Sequence, residues 1–228
     1  MPLKLVPQRD RKLNGLLKNG EEMVASRGHA LYEMGDPAEN LMLVREGHVR
    51  LTLPQNGGRA ERTVAVVGPW EIFGEEALVK GSRRAYAARA GEKLRVQAID
   101  GTEAYQAIRG TSRTLPLLLK AASVDLLRAR WPAPGASGPT TAQRLADLLL
   151  ELGCRFGESE AKGTRIPHWF THAELADLVG AHRSTVTTQL NEWIYEGLLR
   201  DDSGELFIAK PGRLREESSR REDWLAEQ

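Results

Sequence analysis

Phe170-Thr171-His172-Ala173-Glu174-Leu175-Ala176-Asp177-Leu178-Val179-Gly180-Ala181-His182-Arg183-Ser184-Thr185-Val186-Thr187-Thr188-Gln189-Leu190 decides the fold, because it reads as two short helices around a glycine turn. Thr171 followed three residues later by Glu174 makes a capping box, in which hydroxyl and carboxylate satisfy free backbone amides at a helix start. The first helix therefore begins near His172, with Ala173, Leu175, Ala176 and Val179 as its buried stripe and Gly180 at the turn. From Arg183 the apolar residues Val186, Leu190, Trp193 and Ile194 recur at spacings of three and four, while Arg183, Ser184, Thr187 and Thr188 fall on the opposite side. A short polar face of this kind, with Thr171, His182 and Thr185 as further expected contacts, suits base edges and phosphates in the DNA major groove.

Gly197 is placed to cap the second helix, and Leu198 to Ile208 reads as a hairpin turning at Ser203-Gly204. The unit is then a winged helix, with Arg200 on its wing. The same residues also allow an ordinary helical hairpin whose serine and threonine face is simply solvated. Agreement of capping box, turn glycine, polar face and wing in the right order favours DNA. Upstream, Thr140 or Thr141 caps a helix that buries Leu145, Leu148, Leu149 and Leu152.

At 228 residues the chain has room for two domains, each with its own core. Its 41% hydrophobic and 28% charged composition is that of a globular protein, and no apolar run approaches the roughly 20 residues a membrane-spanning helix needs. The segment Met1 to Asp10 has no signal-peptide apolar region, so the expected location is the cytoplasm, with no membrane partner. The single cysteine, Cys154, excludes an internal disulfide and a cysteine-ligated cluster, and is expected to be a buried helix residue. Residues 140–228 hold 11 Lys plus Arg against 16 Asp plus Glu. DNA affinity must therefore come from local placement of Arg183, Arg200, Lys210 and Arg213, with modest phosphate neutralisation.

Between Gly28 and Ile99 β-prone segments alternate with glycine corners: Leu41 to Val44, His48 to Leu53, Arg62 to Val67 and Leu94 to Ile99. Such spacing predicts a small barrel or jelly roll, with a hairpin tip at Gln55-Asn56-Gly57-Gly58. Within it, Phe73 to Ala90 is a glycine-led helical turn followed by an arginine-rich strand. Free amides at a helix start and an inward arginine together suit a phosphate, and Glu75 could accept from a sugar hydroxyl. Equally, Glu75 and Arg84 could pair with each other, leaving Arg83 and Arg89 as surface charges. His29 and His48 are lone histidines, more often surface or core residues than a haem ligand, they lack the close His-x-His pair of a metal-dependent enzyme, and no catalytic arrangement stands out.

From about Asn19 to Lys210 the chain resembles the Crp/Fnr family of bacterial transcription regulators. Gly35-Asp36-Pro37-Ala38-Glu39-Asn40-Leu41-Met42-Leu43-Val44-Arg45-Glu46-Gly47 is similar to early strands of that family's effector domain, Phe73-Gly74-Glu75-Glu76 through Arg84 to Ala90 to its phosphate-binding cassette, and residues 170–208 to its winged helix. The resemblance implies an α+β protein: a cyclic-nucleotide-binding-type β-roll over residues 1–112, a dimerisation helix and hinge over 113–139, a winged-helix DNA-binding domain over 140–210, and a C-terminal extension over 211–228. It implies effector contacts from Gly74, Glu75, Glu76, Arg84, the Ala85 position and Ser123.

Two departures bear on the effector. Where cyclic-AMP-binding members carry serine after the cassette arginine, this chain has Ala85, and their Thr-Ser pair on the dimer helix is absent, Ser123 being nearest. Each lost neutral hydrogen bond costs about 0.5–1.5 kcal/mol, so cyclic AMP binding should weaken roughly ten- to a hundredfold. No other cofactor is expected. Leu115, Leu119, Ala122, Leu126 and Ala129 form a heptad-like seam starting at Pro116, which the resemblance makes the two-fold axis of a homodimer.

A dimer sets two recognition helices about 34 Å apart, which expects a palindromic site in double-stranded DNA. Arg183 matches the family's guanine-reading arginine, whereas the other two principal base-reading positions, a glutamate and a second arginine in the cyclic-AMP receptor, are Ser184 and Thr188. The charged loop Ser159 to Arg165 falls where activating members touch RNA polymerase, and the charge-rich Arg213 to Glu217 reads as a solvated helix. The expected function is a dimeric, non-enzymatic regulator, an activator, with weak or absent cyclic-AMP dependence. The alternative from another class is a small-molecule sensor acting through a protein contact, favoured by the acidic C-terminal half.

Overall fold

Sequence alternation and runs of apolar residues sort the chain into two compact units. A computed structural model describes residues 20–55, 60–109, 138–168 and 170–219. The seam Leu115, Leu119, Ala122, Leu126 and Ala129, with Ser123, lies outside the described residues, as does the hairpin tip Asn56-Gly57-Gly58.

The first unit is a roll of two antiparallel sheets. One runs β1 (Glu21–Ala25), β8 (Leu94–Asp100), β3 (Asn40–Glu46), β6 (Ile72–Phe73); the other runs β2 (Ala30–Tyr32), β7 (Ala87–Ala90), β4 (Val49–Gln55), β5 (Ala60–Val67). The continuous apolar run of β3 is explained by burial on both faces. Met42 and Val44 join Val49, Val67, Ala88, Leu94 and Val96 in one core cluster drawn from both sheets. Leu41 and Leu43 instead meet Ile99 with Ala104 and Ile108 of α1 (Gly101–Arg109). Period-two alternation thus feeds one strand into two cores. A 3₁₀ turn over Glu75–Leu78 leads into the segment that precedes β7.

The second unit opens on α2 (Thr141–Phe156), whose start is closed by a full capping box between Thr140 and Gln143. A hairpin of β9 (Glu158–Glu160) and β10 (Gly163–Arg165) follows, then α3 (His172–Val179), α4 (Arg183–Tyr195) and the wing strands β11 (Leu199–Asp202) and β12 (Glu205–Ile208). The four strands form one sheet in the order β11-β12-β10-β9. The helix-turn-helix is formed as its sequence dictates: Thr171 and Glu174 make the reciprocal cap, and Gly180 sits at φ 62°, left-handed. Leu175, Val179, Val186, Leu190 and Trp193 enter one core with Leu145, Leu149 and Leu152.

Four local expectations change. Ala173 faces solvent, because Leu175, Ala176 and Val179 already fill the inner side of so short a helix. Cys154 is exposed. The charged stretch from Ser159 to Arg165 is paired sheet, where Arg165 bonds Glu158, Glu160 and Glu205 and Lys162 pairs with Asp202. Finally, α5 (Pro211–Glu216) is more than a solvated helix: Leu214 is fully buried, and Ser219 donates its hydroxyl and, at 3.3 Å, its backbone N–H to Asp147 of α2. Burying one leucine contributes about 1.5–3 kcal/mol, so residues just past the wing complete the core.

Candidate nucleic-acid interface and anion-binding cassette

Arginine chemistry defines a candidate site in each unit. In the winged helix, α4 presents Arg183, Ser184, Thr185 and Thr188 to solvent from its first turns, with His182 exposed at its N-cap. Arg183 has no intramolecular ion pair among the described residues. Its planar fork is free for the two acceptors on a guanine edge or for a phosphate, and it projects from the positive end of the helix dipole. Arg200 is exposed on β11, and Lys210 follows β12. Arg213 is also exposed but paired with Glu216 at 3.3 Å.

Two of the expected interface residues have structural duties. The Thr171 hydroxyl accepts the Glu174 N–H at 3.2 Å and donates to the Glu174 carboxylate at 2.9 Å. Thr187 is half-buried, its Oγ1 3.0 Å from His172 Nδ1, which ties α3 to α4 across the turn. Arg144 of α2 supports the same turn. Buried, it donates to the Val179 carbonyl at 2.8 Å and to the Pro139 carbonyl at 2.6 Å, placing a cation at the C-terminal end of α3. Neither His172 nor Arg144 stands out in the sequence, because each acts across a turn or between helices.

In the roll, Gly74 leads the cassette at φ 76° and touches the buried Arg84 closely. A Cβ there would lie 2.6 Å from an Arg84 nitrogen, so only glycine fits. Arg84 donates to the Gly74 carbonyl at 3.0 Å and the Asn40 carbonyl at 2.8 Å, while its guanidinium stacks 4.2 Å from the Tyr32 ring. Burial pushes the Tyr32 phenol well above its ordinary value, with the Arg84 charge pulling the other way.

The expected alternative partner of Arg84 needs correction: Glu76, not Glu75, is the carboxylate that reaches it, at 3.5 Å, and Glu76 also accepts the Ala85 N–H at 3.0 Å. The left-handed Gly74 redirects the 3₁₀ turn so that its second glutamate points back at the arginine. Nor is Arg89 an unpaired surface charge. It bridges Glu33, at 2.6 and 2.8 Å, to Glu61, whose pKa its hydrogen bonds hold below the usual carboxylate range. Arg83 is exposed and donates to the Gly35 carbonyl at 2.7 Å. Among the described residues no cluster of three or more His, Cys, Asp or Glu is arranged to hold a metal ion.

A β-roll with an arginine cassette and a winged helix whose α4 opens on a solvent-facing arginine together define a class: regulators of transcription that bind DNA. Comparison with known proteins makes the class specific. The family described as "Cyclic nucleotide-binding domain" matches residues 22–110, and that described as "Crp-like helix-turn-helix domain" matches residues 143–217. The "Cyclic AMP receptor protein" of Thermus thermophilus is 32% identical over 194 residues, covering 83% of this chain and 84% of that one. The "CRP-like cAMP-activated global transcriptional regulator" of Mycobacterium tuberculosis is 28% identical over 188 residues, covering 82% of this chain and 84% of that one.

A CRP/FNR-family transcriptional regulator of known structure, also from Thermus thermophilus, covers 89% of this chain and 100% of its own, at 27% identity and a TM-score of 0.65. The chain belongs to the Crp/Fnr family of DNA-binding transcription regulators. Among the described residues no helix is long and apolar enough to cross a membrane.

Proposed function

We propose that this regulator acts as a cytoplasmic homodimer that binds a palindromic promoter site and activates transcription through RNA polymerase, with cyclic AMP weakly or not required. Arg183 at the start of α4, exposed and without an ion pair among the described residues, is the observation that carries the DNA reading. Its fork reads guanine while Ser184, Thr185, Thr188 and His182 contact neighbouring bases or phosphates, and Arg200 contacts backbone from the wing. Thr171 and Thr187 serve the interface by fixing the turn.

Residues 113–139 connect the roll, 1–112, to the winged-helix domain, 140–210, and Leu115, Leu119, Ala122, Leu126 and Ala129 supply the dimer seam. Polymerase is contacted through the β9-β10 hairpin, and the chain performs no catalysis. Relatives are named for cyclic AMP, and Gly74, Glu75 and Arg84 keep that cassette. Ala85 cannot offer a hydroxyl to the phosphate, however, and only Ser123 stands near the adenine-reading position.

Selection of genomic fragments by the purified protein, with and without cyclic AMP, followed by sequencing, tests the whole reading. A shared palindrome recovered equally in both runs is expected. Recovery only with the nucleotide would overturn cyclic-AMP independence, and no enrichment in either run would favour a sensor that acts through protein contact.

A further inference from the structure

A buried guanidinium must be surrounded by acceptors, and the acceptors around Arg84 are of two kinds. The carbonyls of Gly74 and Asn40 are neutral, main-chain and fixed. Glu76 is a charged side chain on a short turn, and its two oxygens divide between the Arg84 fork and the Ala85 N–H. A guanidinium beside a backbone N–H is the donor pair that a phosphate group uses. Here a carboxylate of the chain occupies both.

The two sides of this contact differ in burial. The Arg84 side chain is 2% exposed, clamped by two carbonyls and the Tyr32 ring; that of Glu76 is 23% exposed and opens to solvent. The charged contact at 3.5 Å is long for a charge-assisted hydrogen bond, which closes to about 2.7–2.9 Å when strong. The buried Nε of Arg84 has no hydrogen-bond partner among the described residues. The cradle is therefore rigid and incompletely satisfied, and its anion is replaceable.

We propose that Glu76 is a built-in competitor seated in the phosphate position of the cassette, so that a phosphate-bearing effector binds only by displacing it. The inference rests on the reading of the cassette as an effector site with weak cyclic-AMP dependence, and adds a cause for that weakness beyond Ala85 and Ser123. It makes Glu76 the specificity-determining residue: the pocket discriminates by how strongly an incoming anion outcompetes a carboxylate already in place.

Full-length parent, Glu76→Ala and Glu76→Gln proteins are compared by thermal unfolding with and without inorganic phosphate, and by calorimetry with cyclic AMP. Phosphate is expected to raise the melting temperature of both variants and leave the parent unmoved. Cyclic AMP should bind Glu76→Ala about tenfold more tightly than the parent, since a charged competitor for a charged donor is gone. An equal phosphate response in all three proteins, or weaker anion binding by the variants, overturns the proposal and makes Glu76 a simple structural brace. Glu76→Gln preserves the shape of the brace should Glu76→Ala fail to fold. Tight cyclic AMP binding by the parent would instead sink the weak-dependence reading, while the difference in phosphate response would still decide the role of Glu76.

Discussion

Arg84 in the roll and Arg183 in the winged helix are held in opposite states. Arg84 is buried, bonded to two backbone carbonyls, stacked on Tyr32 and reached by Glu76. Arg183 stands in solvent with no ion pair among the described residues. The first arginine is part of the architecture, its donors already engaged by the chain itself. The second contributes little to folding, so its donors are fully available to a partner. Two arginines of identical chemistry thus differ in what their removal should do, and the difference is measurable.

The largest effect belongs to Arg84→Ala. It strips the donor from the Gly74 and Asn40 carbonyls and leaves Glu76 without its cation, and should cost about 3 kcal/mol in urea denaturation of the roll. A loss below about 1 kcal/mol would mean that water replaces the guanidinium freely and that the two arginines are alike. Arg183→Ala should move stability by less than about 0.5 kcal/mol. Its cost appears on the selected DNA, as a loss of about 1–3 kcal/mol confined to one base pair of each half-site. A uniform loss across all sequences would reassign Arg183 to a phosphate.

The helix-turn-helix was legible because its signals are local. Thr171 to Glu174 spans one helical turn, Gly180 marks the bend, and the three-and-four spacing of Val186, Leu190 and Trp193 needs no knowledge of the rest of the chain. The β-roll was legible from β-prone segments alternating with glycine corners, whereas the double burial of β3 depends on the two cores that meet it. The cassette's pairing was not. Whether Glu75 or Glu76 meets Arg84 depends on the left-handed backbone of Gly74, which rotates the following turn, and on Tyr32 and Asn40 arriving from strands more than forty residues upstream. Arg144 and Leu214 were hidden for a similar reason. Their partners, Val179 and the core beneath α2, come from other elements, and a charged residue amid a helix reads as solvated until the carbonyl it serves is seen.

Thr171→Ala sharpens the distinction between residues that touch a partner and residues that hold the contacting helix. Removing the hydroxyl deletes one half of the capping box and should destabilise the winged-helix unit by about 1 kcal/mol. Thr171→Ser should restore the cap. If Thr171→Ala instead weakened DNA binding at unchanged stability, the hydroxyl would belong to the interface and not to the helix start.

The smallest expected effect separates the two units by pH. His48, just before β4, is buried, its Nδ1 3.4 Å from Glu92. Burial lowers its pKa; the Glu92 hydrogen bond and charge oppose this, and the charges of Arg50 and Arg27 reinforce it. The folded roll therefore binds this proton less readily than the unfolded chain does. His48 contributes stability that is fully present above about pH 6.5 and is lost as pH falls through its depressed folded value. Glu61, held low by Arg89, adds a loss only in the ordinary carboxylate range and below. Urea denaturation between pH 7 and pH 5 should show the roll weakening, with His48→Gln removing that slope. The winged helix, whose unfolding can be followed through the buried Trp193, should hold its stability across the same interval. A parallel loss in both units would place the proton elsewhere, and an unchanged slope in His48→Gln would show that Glu92 keeps the imidazolium as stable inside the roll as in water.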